Sequence, residues 1–512
     1  MAHTPTEQPC PTVPVRDHRW PVAIAILLAA LAVRLPWMAS IGFAIDQTQF
    51  VAWSEISRSG SELNPPGGLS QVYDRPPDGG RRWCNYPPVY IYVLRGLAGV
   101  YDRLAPEGRA LNASVVYALR QGAASPETRL AAALYKAPAI LADGLTGVLL
   151  FLFLARRHPR ARSAAVAMVY VLLPAVIHNS TLWGQVDAVP TLLIVLSLEW
   201  TRRGRTPWMI AVATLAILTK AQAVMMTPLW LAEAVRYASL GRGRTPLRDA
   251  GKQADHPPPF HEKNEPRTSV PTAVRGRPAS NIKIGHGVSR SVAMVAIATA
   301  VILAVLLPFH TALDGVWEAY TGAARYYPFT HLNGFSAWFL GRPMIEPHLD
   351  ASPLSAWYAS DASPAFLGLT PRAWGLAGLM VVWICTGLVL WNRRCDEAAI
   401  KLAARILPLA FFILSTQMHE RYLFPAIAIW AWSFQEGRRW WFCWIVIAAC
   451  ATVNVFWAWP GPSEAAWITS VERLVHRSWM GLAPGIWCSL SLIGVFVLTC
   501  LNCHGHGPSP SG

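Results

Sequence analysis

Residues 130–155 read LAAALYKAPAILADGLTGVLLFLFLA, an apolar run interrupted by two charges, Lys136 and Asp143. A helix that crosses a bilayer needs about 20 mostly apolar residues. This stretch has that length, and Arg156 and Arg157 close it. Lys136 and Asp143 stand two helical turns apart on one face, a spacing that suits a buried structural pair. Similar runs occur along the whole chain. They place approximate spans at 21–43, 130–155, 163–178, 187–201, 207–220, 221–237, 291–309, 373–391, 401–417, 422–435, 440–458 and 482–501. The expected fold class is an all-α integral membrane protein with about 12 transmembrane helices, in a range of roughly 10–13.

Composition points the same way. Of 512 residues, 53% are hydrophobic and 14% charged, against roughly 25% charged in soluble domains. There are too few charges to cover several soluble domains. The 24 tryptophans suit a membrane–water interface, where amphipathic rings collect. The apolar content excludes disorder for most of the chain. A net charge of +15 does not indicate a soluble nucleic-acid binder, because the basic residues lie between apolar runs. It works instead as an orientation signal.

Arg156, Arg157, Arg160 and Arg162 flank one turn, and Arg202, Arg203 and Arg205 another. Arg393, Arg394 and Lys401 mark a third, and Arg438 and Arg439 a fourth. A single topology, with both termini cytoplasmic, puts every cluster on the cytoplasmic side. Segments 44–129 and 310–372 then lie outside, with nine Arg against eight acids in the first and three Arg against five acids in the second. Residues 1–20 form a cytoplasmic tail. Residues 21–237 form an N-terminal transmembrane module, and 291–501 a C-terminal one. Between them, 238–290 is a basic, Pro-rich segment that reads as a disordered linker. Residues 502–512 form a second tail. Within the first outer segment, the aromatic stretch from Tyr86 to Tyr101 reads as an interfacial helix. The nine cysteines mostly lie in apolar runs and read as small hydrophobes. Cys500-Leu501-Asn502-Cys503-His504 matches the haem-attachment spacing, but it stands on a short tail with no domain to enclose a haem. No metal site is expected.

The chain has no D-x-D, no phosphate-binding glycine loop and no H-E-x-x-H, so ATP-driven transport and zinc proteolysis have no sequence support. The candidates for chemistry are polar residues at the outer ends of apolar helices, where such groups are costly. Asp46 follows the first span. It suits a general base, and it equally suits an N-cap for a helix over 47–57. In Asn85-Tyr86-Pro87-Pro88 the prolines fix an extended turn that presents aromatic rings. His178 to Asp187 forms a polar hairpin that carries Trp183, Gln185 and Asp187. These residues serve either as sugar contacts or as helix caps. Gln417-Met418-His419-Glu420-Arg421-Tyr422 packs three ionisable groups between two apolar runs. Arg421 suits a phosphate, while Glu420 alternatively neutralises it. Lys220 and Gln222, at another outer turn, offer a second cation, or Lys220 snorkels to the headgroups.

In this order, five pieces resemble the polytopic GT-C glycosyltransferases. The nearest groups are bacterial relatives of the GPI mannosyltransferases and the ER glucosyltransferases of lipid-linked oligosaccharides. The pieces are Asp46 with Phe50 and Trp53, Tyr86-Pro87-Pro88, Trp183-Gly184-Gln185-Val186-Asp187, Leu332-Asn333-Gly334-Phe335-Ser336-Ala337-Trp338, and His419-Glu420-Arg421-Tyr422. The resemblance implies a polyprenyl-phosphate sugar donor, a glycan, glycolipid or protein acceptor, and no cofactor. It implies Asp46 as catalytic base. His419, Arg421 and Lys220 would hold the donor phosphate. Gln185, Asp187, Trp183, Tyr86, Glu420 and Asn333 would hold sugar or acceptor. Some members carry a second acid near the first, whereas Gln47, Thr48 and Gln49 follow Asp46 here. A bacterial inner membrane is the expected location. The alternatives are a flippase of lipid-linked saccharides and an O-antigen ligase or polymerase.

Overall fold

The computed structural model describes residues 19–58, 68–73, 84–105, 111–240, 284–322, 327–340, 359–462, 468–478, 480 and 482–501. The C-terminal tail, nearly all of the N-terminal tail and most of the expected linker lie outside the described residues.

The first half builds α1 (Arg19–Ala32), α2 (Ala44–Ile56), α3 (Pro88–Leu104), α4 (Pro126–Leu154), α5 (Arg160–Leu172), α6 (Ala188–Arg202), α7 (Thr206–Thr219) and α8 (Thr227–Leu240). The second half builds α9 (Ile284–Leu306), α10 (Pro371–Asn392), α11 (Glu397–Leu414), α12 (Phe424–Trp432), α13 (Arg438–Ala458) and α14 (Pro484–Leu501). Local chemistry sets their starts. Ser125 Oγ accepts the Thr128 amide at 3.2 Å while Thr128 Oγ1 accepts the Ser125 amide at 2.8 Å. Pro126 takes the first helical position of α4, where its missing N–H costs nothing. Asp396 Oδ1 caps α11 by accepting from the Ala399 amide at 2.7 Å.

Among the described residues, five helices are long and apolar enough to cross a membrane: α4, α10, α13, α14 and the stretch Gly287–Thr321 that begins in α9. A sixth candidate joins α5 to Pro174–Trp183 across a 49° bend. Pro174 cannot donate to the helix ladder, which places the break there. Helices also stand on the other apolar runs, but α1 and α7 have only 14 residues each. Helix α11 carries Glu397, Lys401 and Arg405. Among the described residues, length and composition therefore support five or six crossings, and the expected dozen is not confirmed. Val292, Val295 and Leu303 of α9 and Val381, Ile384 and Leu388 of α10 are more than half exposed. Apolar surface of that extent demands an apolar surrounding, and it fits an all-α bundle of membrane type.

Two expectations change at this level. Lys136 and Asp143 do not pair. Seven residues of helix separate them by ~10 Å along the axis, too far for an ion pair. Lys136 Nζ instead donates to Ser40 O at 2.7 Å. Asp143 Oδ2 meets Arg34 Nη2 at 3.3 Å, and both side chains are buried. Helices α8 and α9 also extend into the segment expected as linker, to Leu240 and from Ile284.

Helix α3 runs past the expected interfacial stretch to Leu104. Its buried face, with Tyr90, Leu94 and Tyr101, packs in one cluster with Phe50 and Trp53 of α2. The all-α reading also misses a short parallel pair, β1 (His331–Leu332) with β2 (Met418–His419). Gly334 lets these segments close. A Cβ there would stand 2.4 Å from Met418 O, the oxygen that accepts the Gly334 amide at 3.0 Å.

Candidate active site

A cavity of about 530 Å³ opens where the N-terminus of α2 meets the segments after the bent pair, α7 and α11. Its wall includes Asp46, Tyr86, Trp183, Lys220, Asn333, His419, Glu420 and Arg421. Eight of the ten residues singled out from the sequence thus meet at one place.

Asp46 lies in the first turn of α2, where a negative charge is favourable. It is not the cap. Phe43 occupies that position without a side-chain bond. Trp183 Nε1 donates to Asp46 Oδ2 at 2.7 Å, and Gln185 Nε2 donates to the same oxygen. Tyr86 Oη donates to Gln185 Oε1 at 2.9 Å. That bond fixes which end of the Gln185 amide is the acceptor, and so turns its NH₂ toward Asp46. One carboxylate oxygen is held by two N–H groups. The other, Oδ1, makes no hydrogen bond among the described residues.

The expected hairpin at 178–187 is a π-helical turn, His178–Trp183, whose six residues are all buried. Gly184 ends it with φ +85°. A Cβ at Gly184 would stand 2.5 Å from Gln47 Nε2. The turn delivers Trp183 and Gln185 to one carboxylate. Gln185 and Asp187, expected at a sugar, are fully buried and stand behind the cavity wall rather than in it. Asp187 stands at the N-cap position of α6 but makes no side-chain cap bond. Its Oδ1 accepts from Lys220 Nζ at 2.5 Å and Gln222 Nε2 at 2.9 Å. The Lys220 ammonium lies 5.6 Å from both the Tyr86 and Tyr422 ring centroids. Its charge is spent on Asp187 and two aromatic faces, not on headgroups.

The segment between α11 and α12 supplies the rest. Arg421 Nη1 donates to Glu420 Oε1 at 2.5 Å. Its guanidinium carbon stands 5.6 Å over the Trp183 ring, and Nε lies 3.9 Å from Asp187 Oδ2. Neutralisation by Glu420 is therefore real, though Arg421 also faces the cavity. Burial raises the Glu420 carboxyl, but Arg421 and His419 outweigh it and hold it down at about 2. Burial and then the Arg421 charge push the His419 imidazole below its ordinary value, so it is neutral at pH 7. Burial opposes the Arg421 charge, yet Glu420, Asp46 and Asp187 together raise it further. Asn333, at φ +63°, gives its carbonyl to Asn454 Nδ2 at 2.5 Å.

Tyr422, part of the 417–422 segment read from the sequence, faces Lys220. One contributor escaped the sequence reading. Asp361 is fully buried and accepts from Thr416 Oγ1 at 2.8 Å, Gln417 Nε2 at 2.9 Å and Arg372 Nη2 at 2.7 Å. It holds the Thr416 and Gln417 side chains just before His419, and its 55-residue separation from Thr416 leaves no local signal. For cations, the site offers little. Asp46, Asp187 and Glu420 already accept from N–H donors, and no group of three His, Cys, Asp or Glu among the described residues could share an ion.

Fold and site together define a class: a helical, membrane-type bundle with a polar, carboxylate-and-guanidinium cavity at one end. No protein-family model matches the chain, and no curated protein matches it either.

Proposed function

We propose that this protein is a membrane glycosyltransferase of the GT-C kind. It moves a hexose, mannose or glucose, from a polyprenyl-phosphate sugar to a lipid-linked, glycan or protein acceptor. The observation that carries the reading is the asymmetry of Asp46. One oxygen is held by Trp183 and Gln185, and the other is left for a proton in a cavity shared with Arg421 and His419.

The step balances without further reagents. Asp46 Oδ1 accepts the proton of the acceptor hydroxyl. The oxygen attacks the anomeric carbon from the face opposite the phosphate, and the bond from carbon to phosphate oxygen breaks. The electron pair leaves with polyprenyl phosphate, and the configuration inverts. Arg421 meets the charge growing on the leaving oxygen, and neutral His419 offers one N–H. Lys220, in the wall, acts by holding Asp187 and the Tyr86 and Tyr422 rings. Tyr86, Trp183, Asn333 and Glu420 shape the sugar and acceptor side. The outer face of a bacterial inner membrane is the setting this reading implies.

The test is sugar transfer in vesicles. Polyprenyl-phosphate mannose, glucose and arabinose are offered to the purified protein, and product mass is read. Asp46→Asn should insert normally and lose transfer by about 10²–10⁴-fold, the range for a general base. Full transfer by that variant sinks the base assignment. Movement of labelled lipid-linked sugar with no product from any donor would favour a flippase.

A further inference from the structure

Asn454 lies near the end of α13, between Val453 and Val455, in a helix apolar enough to cross a membrane. A carboxamide is costly at such a place unless both its ends are bonded. Asn454 is 1% exposed, and both ends are used. Its Oδ1 accepts the Phe335 amide at 3.0 Å, and its Nδ2 donates to Asn333 O at 2.5 Å. One planar group thus grips the backbone on both sides of Gly334. That backbone needs a grip. Asn333 sits at φ +63°, a region that a residue with a side chain keeps only where its surroundings impose it.

The same three residues carry part of the site on their other edge. Gly334 donates its amide to Met418 O at 3.0 Å, and Asn333 bridges to His419. Asn333, Met418 and His419 all line the cavity, whereas Asn454 does not. The Phe335 ring seats the segment further, 5.2 Å from Trp457 and 5.0 Å from Phe339. Gly485 of α14 leaves it room, since a Cβ there would stand 2.7 Å from Phe335 Cε1. We propose that Asn454 is a positioning residue. By holding 333–335 against Met418 and His419, it sets where His419 and Asn333 stand in the cavity wall. What His419 does there, holding the donor phosphate, rests on the glycosyltransferase reading; where the ring stands does not. The ring is faced by Tyr327 and Tyr422, at 6.0 and 5.1 Å, by Glu420, and by the charges of Arg421 and Lys220. A displaced ring meets these groups differently and titrates differently.

The experiment compares Asn454→Leu, which keeps the size and removes both bonds, with Thr452→Val. The Thr452 hydroxyl bonds Ala448 O within α13 at 2.8 Å, so its loss weakens the helix without touching 333–335. In the sugar-transfer assay Asn454→Leu should raise donor KM roughly 3–10-fold, the worth of about one hydrogen bond. It should leave kcat unchanged and flatten the dependence of donor KM on pH between roughly 8 and 6. Asn454→Gln, with the same two groups, should restore that dependence. The second readout is the imidazole titration of His419, followed by nuclear magnetic resonance as the signal absent from His419→Gln. Burial and Arg421 hold that group down, so in Asn454→Leu it should move up toward its ordinary value. If Asn454→Leu does not fold, Asn454→Ser, which keeps one hydrogen-bonding group, should show the same changes at smaller size. A folded variant with unchanged donor KM and unchanged titration overturns the proposal. Equal changes in Thr452→Val overturn it too, because they mark a general loosening of α13. If the intact protein transfers sugar from no donor, the glycosyltransferase reading fails, and the titration alone decides for or against Asn454.

Discussion

The two oxygens of Asp46 have different neighbours, and that difference belongs to single residues. Tyr86 never needs to touch substrate to matter. Its hydroxyl sets the Gln185 amide, which sets Asp46. Tyr86→Phe should therefore lower kcat by roughly 3–10-fold, the worth of one hydrogen bond. Steady-state kinetics beside Asp46→Asn would show the graded effect. His419 gives a pH prediction. Its imidazole is depressed below 6.5 in the folded chain, so the unfolded chain takes the proton first. The group costs stability only as pH falls below 6.5 and is silent above it. A bound phosphate acts in the opposite sense and favours the protonated ring. Donor KM should then fall as pH is lowered from roughly 8 to 6, and His419→Gln should flatten the trend.

At the scale of elements, the turn His178–Trp183 and Gly184 do the positioning. Only glycine holds φ +85° without strain, and a methyl group there meets Gln47. Gly184→Ala should cost about 1–2 kcal/mol of stability. It should also cut transfer disproportionately, because Trp183 and Gln185 shift together. Thermal unfolding with activity per folded molecule separates the two effects. This piece was half legible. Its polar residues stood out from the apolar background, but both aspartates also had the sequence look of helix caps. Sequence cannot choose between a cap and a tertiary bond, because the partners lie far along the chain. Asp46 bonds residues 137 and 139 positions away. Likewise β1 and β2 have two residues each, too short for any periodicity.

Across the whole molecule, the two ends of the bundle carry different electrostatics. Glu199 ties α6 to α12, where Trp432 Nε1 donates to it at 3.3 Å, and Arg157 stands 3.8 Å away. Glu199→Gln would leave Arg157, Arg202 and Arg203 around a neutral amide. It should destabilise the protein by about 3 kcal/mol or less, since the arginines are partly hydrated while a fully buried broken pair costs 3–5. Activity of the folded fraction should not change, because the cavity end of α6 lies about 18 Å off. Thermal unfolding in detergent beside the transfer assay reads both.

The sequence by itself determined the helical, membrane-type class, since runs of apolar residues with few charges leave no other way to satisfy the backbone. It also picked out the residues that gather at the cavity, because polar groups beside apolar helices are conspicuous. Only the tertiary structure decided their partners. It gave Lys220 to Asp187, Arg34 to Asp143, and Trp183 and Gln185 to one oxygen of Asp46. Pairing depends on where helices cross and on distances of a few ångströms, and neither is encoded in local spacing.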